Sequence, residues 1–230
     1  MALRRYHTVL FDLDGTVLDS IGMILDSLRH ALVTHLDWHP SDTALVRGVG
    51  TPLKEQFFDH ASEAAGVRGH AAPDEVLVAQ LTATYLTHNR ARHDELIRPF
   101  PDAHQTLTRM SEAGLALGIV TSKPQATARR GLQITGLEGF FQVVIGADDV
   151  QRPKPDPEPV HVALAALGRS TRGTLFVGDS PHDLHAGRAA GVDTAAALWG
   201  PFAREVLAPA QPSHWVATLA DLLTLAGEHP

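Results

Sequence analysis

The sequence predicts an α/β fold, an open parallel sheet with helices on both faces and an α-helical domain inserted near its start. Three observations carry this expectation. Short β-rich apolar runs recur along the chain, amphipathic helical patterns lie between them, and residues 19–96 break the alternation with no strand signal of their own.

The first run, residues 6–11 (YHTVLF), ends at Asp12 and reads as a buried strand. Residues 115–120 (LALGIV) and 141–145 (FQVVI) form the second and third, and residues 174–177 (TLFV) the fourth, closing on Gly178 and Asp179. Residues 192–198 make a weaker fifth and residues 214–216 a sixth. Between them, residues 102–113 carry Leu and Met at helical spacing before Gly114. Residues 124–134, 157–167 and 181–190 each open on a proline suited to a first helical turn, and the last two stop at Gly168 and Gly191. Within the interruption, Ile21, Ile24, Leu25, Leu28 and Leu32 form one apolar stripe and residues 76–86 another. Its exit, Arg98-Pro99-Phe100-Pro101, is stiff and extended. The expected division is therefore a core of residues 1–17 and 97–230 with a helical cap of residues 18–96.

Composition narrows the function classes. A net charge of −7 makes the chain a poor general binder of nucleic acid, which rewards clustered Lys and Arg. No stretch approaches the ~20 apolar residues of a membrane span. The apolar run after Arg4 and Arg5 is too short for a signal peptide and meets Asp12 and Asp14 at once. The absence of cysteine excludes disulfides, thiolate metal sites and a cysteine nucleophile. The expectation is a soluble, cytoplasmic monomer or homodimer whose partner is a small molecule.

In an open parallel sheet, ligands bind beyond the carboxyl ends of the strands. Three strand ends here carry polar residues: Asp12-x-Asp14-Gly-Thr16, Thr121-Ser122-Lys123 and Gly178-Asp179-Ser180. Lys154, in RPKPDPEP, lies on the loop after the third strand. The motifs DLDGT, TS, KPDPEP and GDSPHD, in that order and over nearly the whole chain, resemble the haloacid dehalogenase superfamily. The resemblance is to its phosphatases with a helical cap after the first motif, built on a Rossmann-like core.

The residue chemistry agrees with the resemblance. Asp12, placed first after a buried strand, suits nucleophilic attack on phosphorus, which splits hydrolysis into two easier steps. Asp14 is positioned to protonate the leaving oxygen and then to deprotonate water. Hard carboxylates suit Mg²⁺. The resemblance implies that Asp12, Asp179 and the main-chain carbonyl of Asp14 supply its protein oxygens. Asp183, one helical turn after Asp179, is expected to support the metal directly or through water. The resemblance assigns Lys154 to the phosphate and the nucleophile. Thr121, Ser122 and nearby N–H groups at a helix start are expected to hold the phosphoryl group.

Several residues keep two readings. Lys123 fits an anion contact or a solvent-exposed first-turn lysine equally well. His182 and His185 read as solvated helix residues rather than ligands, and Trp38, Trp199 and Trp215 as packing. The resemblance implies that a second aspartate at Asp14 goes with neither dehalogenation nor carbon–phosphorus cleavage, which leaves Lys54 as a surface residue or a substrate contact. Arg47, Gly48 and Gly50 read as the cap's substrate-facing loop. DLDGTVLDS and PFPDAHQTL resemble phosphoglycolate phosphatases, the leading reading. HNRARHDEL and GLQITGLEGFF resemble bacterial pyrophosphatases, the alternative. A sugar-phosphate mutase and a non-catalytic binding module on the same fold rank below both.

Overall fold

The computed structural model describes residues 6–69 and 72–225, so Arg4 and Arg5 lie outside the described residues. The chain forms two compact units, one of Met1–Asp19 with Arg98–Pro230 and the other of Ser20–Ile97.

The first unit is built on six parallel strands: β1 (Thr8–Phe11), β4 (Ala116–Val120), β5 (Val143–Ile145), β6 (Thr174–Gly178), β7 (Asp193–Ala197) and β8 (His214–Val216). Their order is β5-β4-β1-β6-β7-β8. The remaining strands, β2 (Leu18–Asp19) and β3 (Arg98–Pro99), form a short antiparallel ladder of their own. That ladder ties the start of the interruption to its exit, which is why the units divide after Asp19 and before Arg98.

β1 sits at the centre because all four of its residues are buried, with nothing polar enough to face water on either side. It pairs with β4 on one side and β6 on the other, with Phe11 level with both Ile119 and Val177. β4 and β6 are buried at every position as well. Helices α5 (Ala103–Glu112), α6 (Gln125–Ile134), α7 (Glu158–Leu167) and α8 (Pro181–Ala189) connect these strands, as parallel crossovers require. Leu10, Val120, Ile145 and Phe176 of the sheet pack with Val160 and Leu164 of α7 and Ala186 of α8 into one apolar cluster. Burying such side chains stabilises the fold by roughly 1.5–3 kcal/mol each. The strand order reverses around β1, so β4, β1 and β6 present adjacent carboxyl ends. The weak fifth and sixth strand signals are real strands, β7 beside β6 and β8 at the sheet's edge.

The second unit holds α1 (Ile21–Leu36), α2 (Asp42–Val46), α3 (Leu53–Arg68) and α4 (Glu75–Leu96). The apolar stripe read at Ile24, Leu25, Leu28 and Leu32 is the buried face of α1. Leu81 and Tyr85 of α4 are buried too, and Tyr85 meets Phe57 of α3 edge to face at 6.0 Å. α4 runs ten residues beyond the apolar pattern that predicted it. Its last turns bury Asn89 and His93, which polarity alone does not mark as inward-facing. Asn89 is held by donating to Ser27 Oγ at 3.3 Å. Among the described residues no helix is long and apolar enough to cross a membrane.

Candidate active site

The first residue past β1 is Asp12, the first past β4 is Thr121 and the first past β6 is Asp179. The lateral pairing of the three strands therefore brings these residues side by side. Ladder bonds continue one step beyond the strands to hold them, with Asp12 N donating to Val177 O (2.9 Å) and Thr121 N to Ile145 O (2.9 Å). Asp12, Thr121 and Asp179 are all buried. Asp183 follows on the first turn of α8, where a capping box fixes it. Ser180 N and Ser180 Oγ donate to Asp183 Oδ2 at 3.1 and 2.6 Å.

Asp12, Asp179 and Asp183 form one buried cluster, each offering a carboxylate oxygen within 4.8 Å of the others. Lys154 is the cation inside it. Its Nζ donates to Asp12 Oδ1 (2.7 Å), Asp183 Oδ1 (2.6 Å) and Val120 O (3.2 Å), which uses all three ammonium protons. Asp12 Oδ2 takes no hydrogen bond among the described residues.

The electrostatics follow from three carboxylates facing one ammonium. Burial, aided by Asp183 and Asp14, pushes the Asp12 carboxyl up to about 7 although Lys154 pulls the other way. Burial and the neighbouring Asp12 and Asp183 raise Asp179 well above the usual carboxylate range. Burial opposes the charge on Lys154, but Asp12 and Asp183 outweigh it and keep the lysine protonated. Asp179 has only the Thr16 hydroxyl as a hydrogen-bond donor, at 2.5 Å, and no cation within ion-pair distance among the described residues. The cluster is thus short of positive charge by about two, and its donors are hard oxygens. That is the deficit a divalent cation fills.

Several contributors were given no role by the sequence. Thr16, fully buried, orients Asp179, and its carbonyl accepts from Trp199 Nε1 at 2.9 Å. Trp199, read as packing, thus anchors the first loop of the site. Glycines line the cluster where side chains would collide. A Cβ on Gly15, which has φ +82°, would lie 2.5 Å from Asp179 Oδ2, and one on Gly200 would lie 2.3 Å from Asp179 Cβ. Gly15→Ala is therefore expected to destabilise the chain by about 1–3 kcal/mol through backbone strain and displacement of Asp179. Denaturant unfolding checks it, and an unchanged midpoint would contradict it.

Lys123 resolves to an ion pair. Its Nζ lies 2.5 Å from Asp14 Oδ1, and both side chains are 13% exposed. Thr121 Oγ1 accepts from Lys123 N at 3.3 Å. Ser122 stands between them on the same turn. His182 and His185 are not members of the carboxylate cluster. Arg47 and Gly50 lie in the turn between α2 and α3 of the helical unit, where Gly50 has φ +98°.

Such a set of strand ends, with buried carboxylates around one saturated lysine, is the apparatus of a hydrolase. A family profile described as haloacid dehalogenase-like hydrolase matches residues 9–197. Pyrophosphatase PpaX of Anoxybacillus flavithermus is 36% identical over 221 residues, covering 96% of this chain and 97% of that protein. Pyrophosphatase PpaX of Halalkalibacterium halodurans is 34% identical with the same coverage. A solved structure of a predicted phosphoglycolate phosphatase from Haemophilus somnus 129PT superposes with a TM-score of 0.89. It is 22% identical, with 97% of this chain and 99% of that one covered. The chain belongs to the haloacid dehalogenase-like hydrolase family, as an enzyme of its phosphatase kind.

Proposed function

We propose that this chain hydrolyses a small phosphorylated metabolite through an aspartyl-phosphate on Asp12, with Mg²⁺ as its metal. The observation that carries the reading is the asymmetry of the Asp12 carboxylate. One oxygen is pinned by Lys154 while the other has no donor among the described residues, at the carboxyl end of the central strand. A fixed, half-satisfied carboxylate is an oriented nucleophile.

In the first step a bond forms between Asp12 Oδ2 and phosphorus, and the bond from phosphorus to the leaving oxygen breaks. The leaving oxygen keeps the electron pair and takes a proton from Asp14 acting as general acid. In the second step water attacks phosphorus and gives a proton back to Asp14. The Asp12–phosphorus bond breaks, returning the carboxylate and releasing inorganic phosphate. Lys154 holds the nucleophile in place and offers its charge to the phosphoryl oxygens. Thr121, Ser122 and the N–H groups before α6 complete the cradle. Asp12, Asp179 and the main-chain carbonyl of Asp14 would hold Mg²⁺, with Asp183 acting through water because both of its oxygens are engaged. The all-oxygen donor set favours Mg²⁺ over softer metals. When bound, Mg²⁺ supplies the missing positive charge to the carboxylates and the phosphoryl oxygens. The helical unit, residues 20–97, serves as a cap in this reading, with Arg47 and Gly50 selecting substrate. A cytoplasmic monomer or homodimer belongs to the same reading.

A phosphoglycolate-type monoester is the first substrate reading, in keeping with the fold neighbour. Inorganic pyrophosphate is the second, favoured by the names of the full-length relatives. Comparing kcat/KM for 2-phosphoglycolate and pyrophosphate with Mg²⁺ decides between them, and turnover of neither, nor of any phosphorylated metabolite in a screen, would overturn the proposal.

Protons and the divalent cation compete for the same oxygens. Asp12 is raised in the folded chain from 3.8 to about 7, so its contribution to stability is present at low pH and is lost as pH rises through 7. Asp179 shifts in the same direction. Metal-free protein is expected to lose stability progressively from about pH 4 to about pH 7, and Mg²⁺ to raise the melting temperature more at about pH 7 than at about pH 5. Thermal melts at both pH values, with and without Mg²⁺, check this; an equal Mg²⁺ shift at both would contradict it.

A further inference from the structure

We propose that Lys123 is a specificity-determining residue that receives the negative charge of the leaving group, so that the enzyme prefers substrates whose leaving group is itself an anion. The inference rests on the phosphohydrolase reading above and extends it to the half of the substrate that departs.

The two lysines of the core site are not equivalent. Lys154 is 3% exposed and has spent every ammonium proton on Asp12, Asp183 and Val120 O, all on the nucleophile's side. Lys123 touches a single acceptor among the described residues, Asp14 Oδ1, which leaves two N–H donors, and its side chain keeps contact with solvent. In the proposed reaction Asp14 is the residue that meets the leaving oxygen. A cation bonded to the Asp14 carboxylate therefore stands on the leaving-group side, within a side-chain's reach of whatever substituent that oxygen carries.

The backbone beneath Lys123 is fixed, so its direction is not accidental. Its N–H donates to Thr121 Oγ1 at 3.3 Å and its carbonyl accepts from Ala147 N at 2.9 Å. The next turn is clamped through Gln125, whose N–H donates to Asp148 Oδ1 (2.7 Å). Its side-chain Nε2 donates to Val144 O (3.0 Å) and Asp149 Oδ2 (2.9 Å). A carboxylate or phosphate on the leaving group can take the two remaining donors as charge-assisted hydrogen bonds in a partly desolvated site, which are the stronger kind. A hydroxyl in the same position gains much less. Both substrates of the proposed function, with a carboxylate or a second phosphate beside the leaving oxygen, meet this requirement.

The test is a matched pair of esters, 2-phosphoglycolate and 2-hydroxyethyl phosphate, which differ by carboxylate against hydroxymethyl in the leaving group. In wild-type enzyme with Mg²⁺ the ratio of kcat/KM values should favour 2-phosphoglycolate by about tenfold or more. Lys123→Met should lower that ratio by about 10- to 100-fold, and Lys123→Arg should recover most of it. A wild-type ratio near one, or a Lys123→Met enzyme that loses both substrates by the same factor, would overturn the assignment. The wild-type ratio keeps the test decisive even where Lys123→Met fails to fold. Failure of the underlying reading is distinct, because wild-type enzyme would then hydrolyse neither ester nor pyrophosphate.

Discussion

Asp12→Asn is expected to remove turnover by at least about 10⁴-fold while leaving the fold intact. The amide keeps the size of the carboxylate and an oxygen for Lys154 Nζ, which sits 2.7 Å from Asp12 Oδ1 in the wild type. What it lacks is the anionic oxygen that forms the bond to phosphorus. The variant also relieves a cluster in which burial already pushes the Asp12 carboxyl up to about 7, so its melting temperature without metal should match or exceed that of wild type. Steady-state assays and thermal melts of the same sample check both parts. Substantial residual activity in a pure preparation would contradict covalent catalysis.

Lys154→Met is expected to lower both stability and activity. It leaves two buried carboxylates, Asp12 and Asp183, without the ammonium that joins them. Breaking a buried ion pair by removing one partner costs about 3–5 kcal/mol. The loss should be smaller at low pH, where protonation can replace the missing charge. Activity should fall by about 10³-fold or more, since the nucleophile loses its orientation and the phosphoryl oxygens lose a fixed cation. Arginine should not rescue it, because a planar guanidinium cannot present three protons to Asp12 Oδ1, Asp183 Oδ1 and Val120 O in a site sized for an ammonium. Denaturant melts and kcat/KM of both variants test this, and a Lys154→Met protein as stable as wild type would contradict it.

Where the chain's order is local, it was readable. β1 is a short buried run bounded by Asp12, and α7 and α8 begin at prolines and end at or just before glycines, so periodicity and stop signals suffice. The convergence of Asp12, Thr121 and Asp179 was readable too, because parallel strands put their carboxyl ends on one edge and each run ended in a polar residue. Less legible was anything that depends on a partner distant in sequence. Trp199 reads as an apolar side chain until its indole N–H is found on Thr16 O, on a different strand end. Lys123 was undecided because its partner, Asp14, lies 109 residues away. Gly15 and Gly200 matter only through the Asp179 carboxyl that fills the space where a Cβ would go. α3 escaped notice because its buried face mixes Gln56 and His60 with Phe57 and alanines, which blunts the apolar stripe.

The central claim is that the Asp12 carboxylate carries the phosphoryl group between substrate and water. Single-turnover reaction with enzyme in excess over 2-phosphoglycolate or pyrophosphate, quenched in acid at successive times and digested for mass spectrometry, tests it most directly. A transient phosphoryl group on the peptide containing Asp12, rising and falling ahead of free phosphate and absent from Asp12→Asn, is the predicted result. Consumption of substrate with the phosphoryl group on another residue, or on none while Asp12→Asn still turns over, would contradict the account.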